Sequence, residues 1–353
     1  MKKLFIYLMF MGMFVYQTSH AQSPLFSQYN TSNLYTNPAT VGMTGSPFVG
    51  KMGVRDQWSN LDGGYQTQYA SFEMNTLQKL NVGFLASNDI AGHNGLNTIN
   101  LSGVIGYVIP LNKPKRMYHG NLSKTWYLQP ALQLGIINKA IRSQYKNIDD
   151  INNGTPTQNL NGLSDWFPEL GFGLLVTNKE TWFGVAAHHL FQTGEEVDDI
   201  NNVLLPPDVR YTVHGGILKE LSSNDVSVGG SFILRVQAGI YQSDFTVNAS
   251  KTMLYKNNQI TIGGSLGYRT FIDSQQESNR DAIIIGTSVR FNNFEFGYSY
   301  DYTISNLTQN TMGTNEYSIV IYPSWDKKKK WEDKYKKRNH VSCPSVADPR
   351  NYR

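Results

Sequence analysis

Between residues 48 and 322, apolar residues alternate with small or polar ones in stretch after stretch of about ten residues. A period of two places successive side chains on opposite faces of a strand, so this pattern predicts β-structure along most of the chain. Fourteen strands are expected, at 48–58, 65–74, 80–89, 96–108, 125–137, 167–177, 181–191, 210–218, 226–237, 242–253, 259–270, 281–291, 294–302 and 316–322. In 294–302, Phe294, Phe296, Tyr298, Tyr300 and Tyr302 share one face, while Glu295, Gly297, Ser299 and Asp301 share the other. A soluble sandwich would place charges on its outward face. Here the polar face reads mainly as Gly, Ser, Thr and Asn, and the apolar face is rich in aromatics. Strands near the ~9–11 residues needed to cross a bilayer obliquely, with an apolar exterior and aromatic girdles, point to a transmembrane β-barrel.

The amino terminus agrees with that destination. Lys2 and Lys3 precede an apolar run at residues 4–16, followed by Ser19-His20-Ala21, the pattern of a secretory signal peptide cut after Ala21. The run is too short for a spanning helix, and residue 22 is Gln rather than a lipidated Cys. A single Cys among 353 residues excludes an intrachain disulfide framework. The expected division is a signal peptide at 1–21, a plug-like periplasmic segment at 22–47, the barrel at 48–322 and a basic tail at 323–353.

An even-stranded barrel keeps both ends of its sheet on the periplasmic side, with short turns there and longer connections outside. Counted from the first strand, the long connections 138–166 and 192–209 both fall outside. The basic connection within 109–124 is the exception. The inward faces read as mainly small and neutral, which leaves open whether the lumen conducts.

His-Glu-x-x-His and phosphate-binding glycine loops are missing, and the one G-x-S-x-G run, Gly263-Gly264-Ser265-Leu266-Gly267, lies inside an expected alternating strand rather than at a strand-to-helix turn. His188 and His189 are adjacent on an expected strand, so their rings should face opposite sides and cannot converge on a metal. The acidic groups Asp149-Asp150 and Glu195, Glu196, Asp198, Asp199 lack the turn glycine of a calcium loop. No catalytic residue, cofactor or metal is expected.

Charge is unevenly spread. Residues 325–353 carry seven Lys and three Arg against four acids, a balance of +6, and the signal peptide adds +2. From the total of +4, the body therefore carries 4 − 6 − 2 = −4. An acidic body with one basic end is no nucleic-acid-binding profile. Trp325, Trp331 and Tyr335 are interleaved with the tail's lysines, which suits lipid head groups or an acidic partner as well as a solvated extension. Cys343 is left as an unpaired thiol.

The segment 24–45, PLFSQYNTSNLYTNPATVGMTG, contains no charged side chain yet carries Phe26, Tyr29, Leu34 and Tyr35. Ahead of a barrel, it is expected to fold into the mouth or lumen, with Tyr29, Asn37 and an inward-facing Arg55 forming a cluster near the periplasmic mouth. Phe26-Ser27-Gln28-Tyr29, Asn37-Pro38-Ala39 and Arg55-Asp56-Gln57-Trp58 resemble the amino-terminal signature of the PorP/SprF family of type IX secretion and gliding proteins. The run from Gly297 to Asp301-Tyr302 and the late Cys343-Pro344 are similar to its carboxy-terminal pattern, although this chain continues to Arg353. The resemblance implies an outer-membrane barrel of Bacteroidota that serves export of proteins bearing a carboxy-terminal sorting domain. Its implied partners are components of the secretion machinery, a secreted client and membrane lipid. The motif residues Phe26, Gln28, Tyr29, Asn37, Pro38, Arg55, Gln57, Trp58, Asp301 and Tyr302, with Trp325, Trp331 and Cys343 of the tail, are the candidates for binding. A passive channel or hydrophobic-solute transporter is the alternative reading.

Overall fold

The computed structural model describes residues 23–44, 46–60, 64–76, 79–92, 95–112, 125–141, 163–178, 180–191, 204–221, 225–255, 258–272, 278–305, 311 and 313–323. The expected signal peptide, the tail with Trp325, Trp331 and Cys343, and most of the long connections lie outside the described residues.

The strands run in chain order as β1 (Phe48–Gln57), β2 (Tyr65–Asn75), β3 (Leu80–Ala91), β4 (Leu96–Tyr107), β5 (Ile109–Pro110), β6 (Tyr127–Ile141), β7 (Ser164–Thr177) and β8 (Thr181–His188). They continue as β9 (Arg210–Leu221), β10 (Val226–Gln237), β11 (Ile240–Tyr255), β12 (Asn258–Ile272), β13 (Ser278–Phe291), β14 (Phe294–Thr303) and β15 (Thr314–Ile321). The two-residue β5 pairs only along the start of β6. The other fourteen form a closed antiparallel barrel. Closure comes from β4 pairing with β6, and from β1 pairing with β15 between Gly50↔Ile321 and Gln57↔Thr314. Closed pairing leaves no strand edge to face lipid with unmet backbone groups.

The alternation sorts the faces as read from the sequence. Along β14, Phe294, Phe296, Tyr298 and Tyr302 are exposed on the outside, whereas Glu295, Ser299 and Asp301 are buried within. Exposed aromatics mark both rims of the wall, with Tyr107, Tyr255 and Phe294 at one end and Tyr65, Trp166, Tyr211 and Tyr302 at the other. Such belts sit at membrane interfaces.

Several expectations about strand ends change. β1 stops at Gln57 because Trp58 adopts a left-handed backbone (φ 60°), and its N–H leaves the ladder for the Gly313 carbonyl at 3.0 Å. β8 stops at His188 instead of continuing to residue 191, because His189 is also left-handed (φ 59°). That turn brings both imidazoles inside, with His188 1% and His189 7% exposed, so the two rings do not face opposite sides. β6 and β7, by contrast, extend beyond their expected ends, to Ile141 and from Ser164.

β1 begins and β15 ends at the same rim, called here the terminal rim; the connections 142–163 and 189–209 belong to the distal rim. Residues 23–44 lie inside the barrel and run between these rims. Ser23 meets Gln237 and His189 at the distal rim, whereas Val41 meets Gln129 and Gly42 meets Glu73 near the terminal rim. A short helix, α1 (Asn33–Thr36), and a 3-10 turn (Pro38–Thr40) shape the middle of this segment. Phe26, Leu34, Ala39, Val41 and Met43 pack on Tyr69, Leu85, Val104, Leu175, Trp182 and Leu218 of the inner wall. The main apolar core of the molecule is thus made jointly by wall and inserted segment.

Candidate functional site

The inserted segment is held by two separate polar clusters. The first gathers at Ser27. Its hydroxyl donates to Asp301 Oδ2 at 2.7 Å and accepts from Arg55 Nη1 at 2.8 Å and Arg269 Nη2 at 3.0 Å. Glu316 takes the backbone N–H groups of Ser27 and Gln28 on its two carboxylate oxygens, at 2.7 and 3.0 Å. Gln28 then spans β15, donating to the Glu316 carbonyl and accepting from Ser318 Oγ.

Around this point charges of opposite sign follow one another along the inner wall. Arg55 Nη2 lies 2.9 Å from Asp301, Arg269 joins Asp301 at 3.0 Å and Asp244 at 2.8 Å, and Arg235 reaches Asp244 at 3.2 Å. Arg55 also pairs with Glu316 at 3.2 Å. Three arginines thus meet three carboxylates, all of them buried. Buried charges persist only when paired and hydrogen-bonded, and this layer meets that condition by giving each charge an opposite partner. The expectation of a mainly small and neutral interior is corrected accordingly: it holds for the middle of β10–β14, while a charged layer lies on the distal side of it.

The second cluster centres on His214. Asn37 Nδ2 donates to His214 Nε2 at 2.9 Å, which leaves Nδ1 to donate to the Tyr29 hydroxyl at 2.8 Å. The Asn37 amide is oriented by its other end, where Oδ1 accepts the Ala39 N–H at 2.8 Å and caps the 3-10 turn. Wall and segment approach closely here. A Cβ on Gly173 would stand 2.1 Å from Asn37 Oδ1, and one on Gly184 would stand 2.4 Å from His214 Nε2. Only glycine leaves room for the asparagine.

The sequence-derived candidates therefore separate. Tyr29 and Asn37 share His214, while Arg55 and Asp301 share Ser27; the single Tyr29–Asn37–Arg55 cluster does not form. Arg55 sits two residues before the distal end of β1, away from the terminal rim where that cluster was expected. Phe26 is buried against Tyr35 and Tyr69, and Pro38 opens the 3-10 turn. Gln57 ends β1 opposite Thr314, Trp58 meets Tyr65 edge-on, and Tyr302 is half exposed on the outer face. Arg269, Asp244, Glu316 and His214 were not singled out in the sequence, because each is one polar residue within an ordinary alternating strand. Among the described residues no group of three or more His, Cys, Asp or Glu is arranged to hold a metal.

The model for the type IX secretion system membrane protein PorP/SprF matches residues 18–321. The chain belongs to the PorP/SprF family. No curated protein matches it. Among solved structures, the barrel is similar to Omp33 of Acinetobacter baumannii at 8% identity and a TM-score of 0.40, covering 79% of this chain and 98% of that one. OmpF of Salmonella typhi, solved with daunomycin, aligns at 13% identity and a TM-score of 0.32, covering 78% and 96% of the two chains. Family and barrel together make this PorP/SprF protein an outer-membrane component of type IX secretion.

Proposed function

We propose that this PorP/SprF protein acts in type IX secretion as a non-enzymatic binding component, holding a secreted client with a sorting domain, or a machinery component, rather than passing cargo through its own lumen. The observation that carries this reading is the occupied interior. Residues 23–44 traverse the barrel, fill much of it with an apolar core, and are tied to the wall by Ser27, Gln28, Tyr29 and Asn37. A conduit for a polypeptide or a hydrophobic solute would need that segment displaced, and with it every one of those contacts. The same occupancy weighs against the passive-channel alternative.

In this reading the binding surface is the distal rim, from which the long connections start, and the basic tail contributes from the opposite side by contacting machinery or lipid. The test is photo-crosslinking on intact cells from a benzophenone amino acid placed at Leu205 or Trp58, both at the distal rim. An adduct with a secreted sorting-domain protein is expected. Absence of any adduct, together with steady porin-like conductance of the purified barrel in planar bilayers, would favour the channel instead.

A further inference from the structure

Between the inserted segment and the wall of β10–β14 runs a cleft of about 100 Å³. It extends from Trp182, Leu218 and Glu295, near the terminal rim, to Ser231 and Ser299 at mid-height, and Ser27 bounds it on the distal side. One water needs only ~10–15 Å³ of such space, so the cleft holds several waters or one small molecule.

Its lining has a consistent chemistry. Ser231, Thr246, Ser265, Ser288 and Ser299 supply hydroxyls, and Gly263 and Gly297 keep the wall low. Three buried polar atoms around it have no hydrogen-bond partner: Trp182 Nε1, Asn248 Oδ1 and Ser299 Oγ. Trp182 is 4% exposed and Ser299 1%. A donor, an acceptor and a hydroxyl, contributed by β8, β11 and β14, are therefore left unmet around one space. Leaving such groups unsatisfied is costly, and native interiors rarely do so without an occupant.

The occupant's class follows by exclusion. Glu295, the one charged residue of the lining, stands opposite the buried Arg290 in the pairing of β13 with β14, so an ion would find little net countercharge. An apolar guest would leave all three polar atoms unmet. Waters could satisfy the hydrogen bonds, but they make no use of the aromatic pair at the side of the cleft. There Tyr29 and Trp182 lie nearly parallel, 6° apart in orientation with centroids 6.5 Å apart. Aromatic faces beside hydrogen-bonding edges suit a molecule with C–H faces and hydroxyl edges. We propose that this cleft binds a small neutral polyol, at most a single sugar ring. Trp182 Nε1 donates to one of its oxygens, and Asn248 Oδ1 accepts from one of its hydroxyls.

The test uses the full-length protein in an amine-oxide detergent, so that no sugar head group competes. N-acetylglucosamine is titrated and followed by saturation-transfer difference NMR. Saturable binding is expected, at least tenfold weaker in Trp182→Phe and Ser299→Ala, and lost in Ser231→Phe, which fills the cleft. Heat-modifiable migration reports which variants fold, and if Ser231→Phe does not, the other two decide. No saturable signal from the wild-type protein, or equal affinity in Trp182→Phe and Ser299→Ala, overturns the proposal; so does a sugar-soaked crystal with water alone in the cleft.

Discussion

Replacing Arg55 with alanine should free the first residues of the inserted segment while leaving the barrel closed. The guanidinium contacts Asp301 at 2.9 Å, Glu316 at 3.2 Å and the Ser27 hydroxyl at 2.8 Å. Its loss leaves the three carboxylates of this layer with two arginine partners in place of three. Removing one partner of a buried pair costs about 3–5 kcal/mol. The lower end applies here, because Asp301 keeps Arg269 at 3.0 Å and Glu316 keeps two backbone N–H groups. About 3 kcal/mol corresponds to roughly a hundredfold change in an equilibrium, at 1.4 kcal/mol per decade. The wall retains its ladder hydrogen bonds, so the cost falls on the weaker attachment, that of residues 23–31. Segment 24–45 has no Lys or Arg for trypsin, whereas Phe26 and Tyr29 are chymotrypsin sites. Chymotrypsin digestion of the purified barrel, followed by intact mass, should show cleavage after Phe26 or Tyr29 roughly a hundredfold faster in Arg55→Ala. Arg55→Lys keeps the charge but not the forked geometry, and should fall between the two. Wild-type cleavage rates in Arg55→Ala would refute the view that this layer holds the segment.

Three further substitutions probe the remaining attachments, each read as a shift in the temperature at which heat-modifiable migration is lost. Gly184→Ala places a methyl 2.4 Å from His214 Nε2 and 2.7 Å from Asn37 Nδ2, and should destabilise by about 1–3 kcal/mol; an unchanged midpoint would mean the close approach is unimportant. His214→Phe removes the shared partner of Tyr29 and Asn37, with an expected cost of about 1–3 kcal/mol, and a neutral result would detach that cluster from stability. Leu34→Ala empties a fully buried site on α1 and should cost about 2–5 kcal/mol; a loss below 1 kcal/mol would indicate that the joint core is dispensable.

How much of this was legible in the sequence varies with the range of the interaction concerned. Alternation is local, so all fourteen strands of the barrel were found, and β14 displays both of its faces within nine residues. Strand ends were less legible because they depend on backbone conformation. Nothing in the residue types at Trp58 and His189 announces a left-handed φ, and the inward turn of His189 follows from that angle. The charged layer was missed for a different reason. Arg235, Asp244 and Arg269 each stand singly on an otherwise neutral inward face, and Arg55 and Asp301 are each separated by neutral residues from the other inward charge of their strand, so a strand-by-strand reading averages them away. Their alternating sign emerges only when neighbouring strands are set in register, as in Asp244↔Arg269. The motif residues were legible as a group, but their partners were not, since Ser27 and Glu316 lie 289 residues apart.

That sequence distance bears on how the molecule must assemble. The wall alone would leave Lys51, Glu73, His214 and the arginine layer lining one lumen with Leu85, Val104 and Leu175. Segment 23–44 supplies at once the apolar surface those residues pack on and several hydrogen bonds that the polar residues require. Ser23 ends up at the distal rim although β1 starts at the terminal rim, so the segment must traverse the lumen. Threading a finished barrel would require drawing Phe26 and Tyr29 past the full length of a closed polar wall. Closing β15 onto β1 around a segment already in place avoids that. The contacts favour this order, because Glu316 and Ser318 of β15, the final strand in the chain and the one that closes on β1, are the residues that grasp Ser27 and Gln28. Seam closure and capture of the segment therefore use the same strand, and a substitution that loosens one should loosen the other.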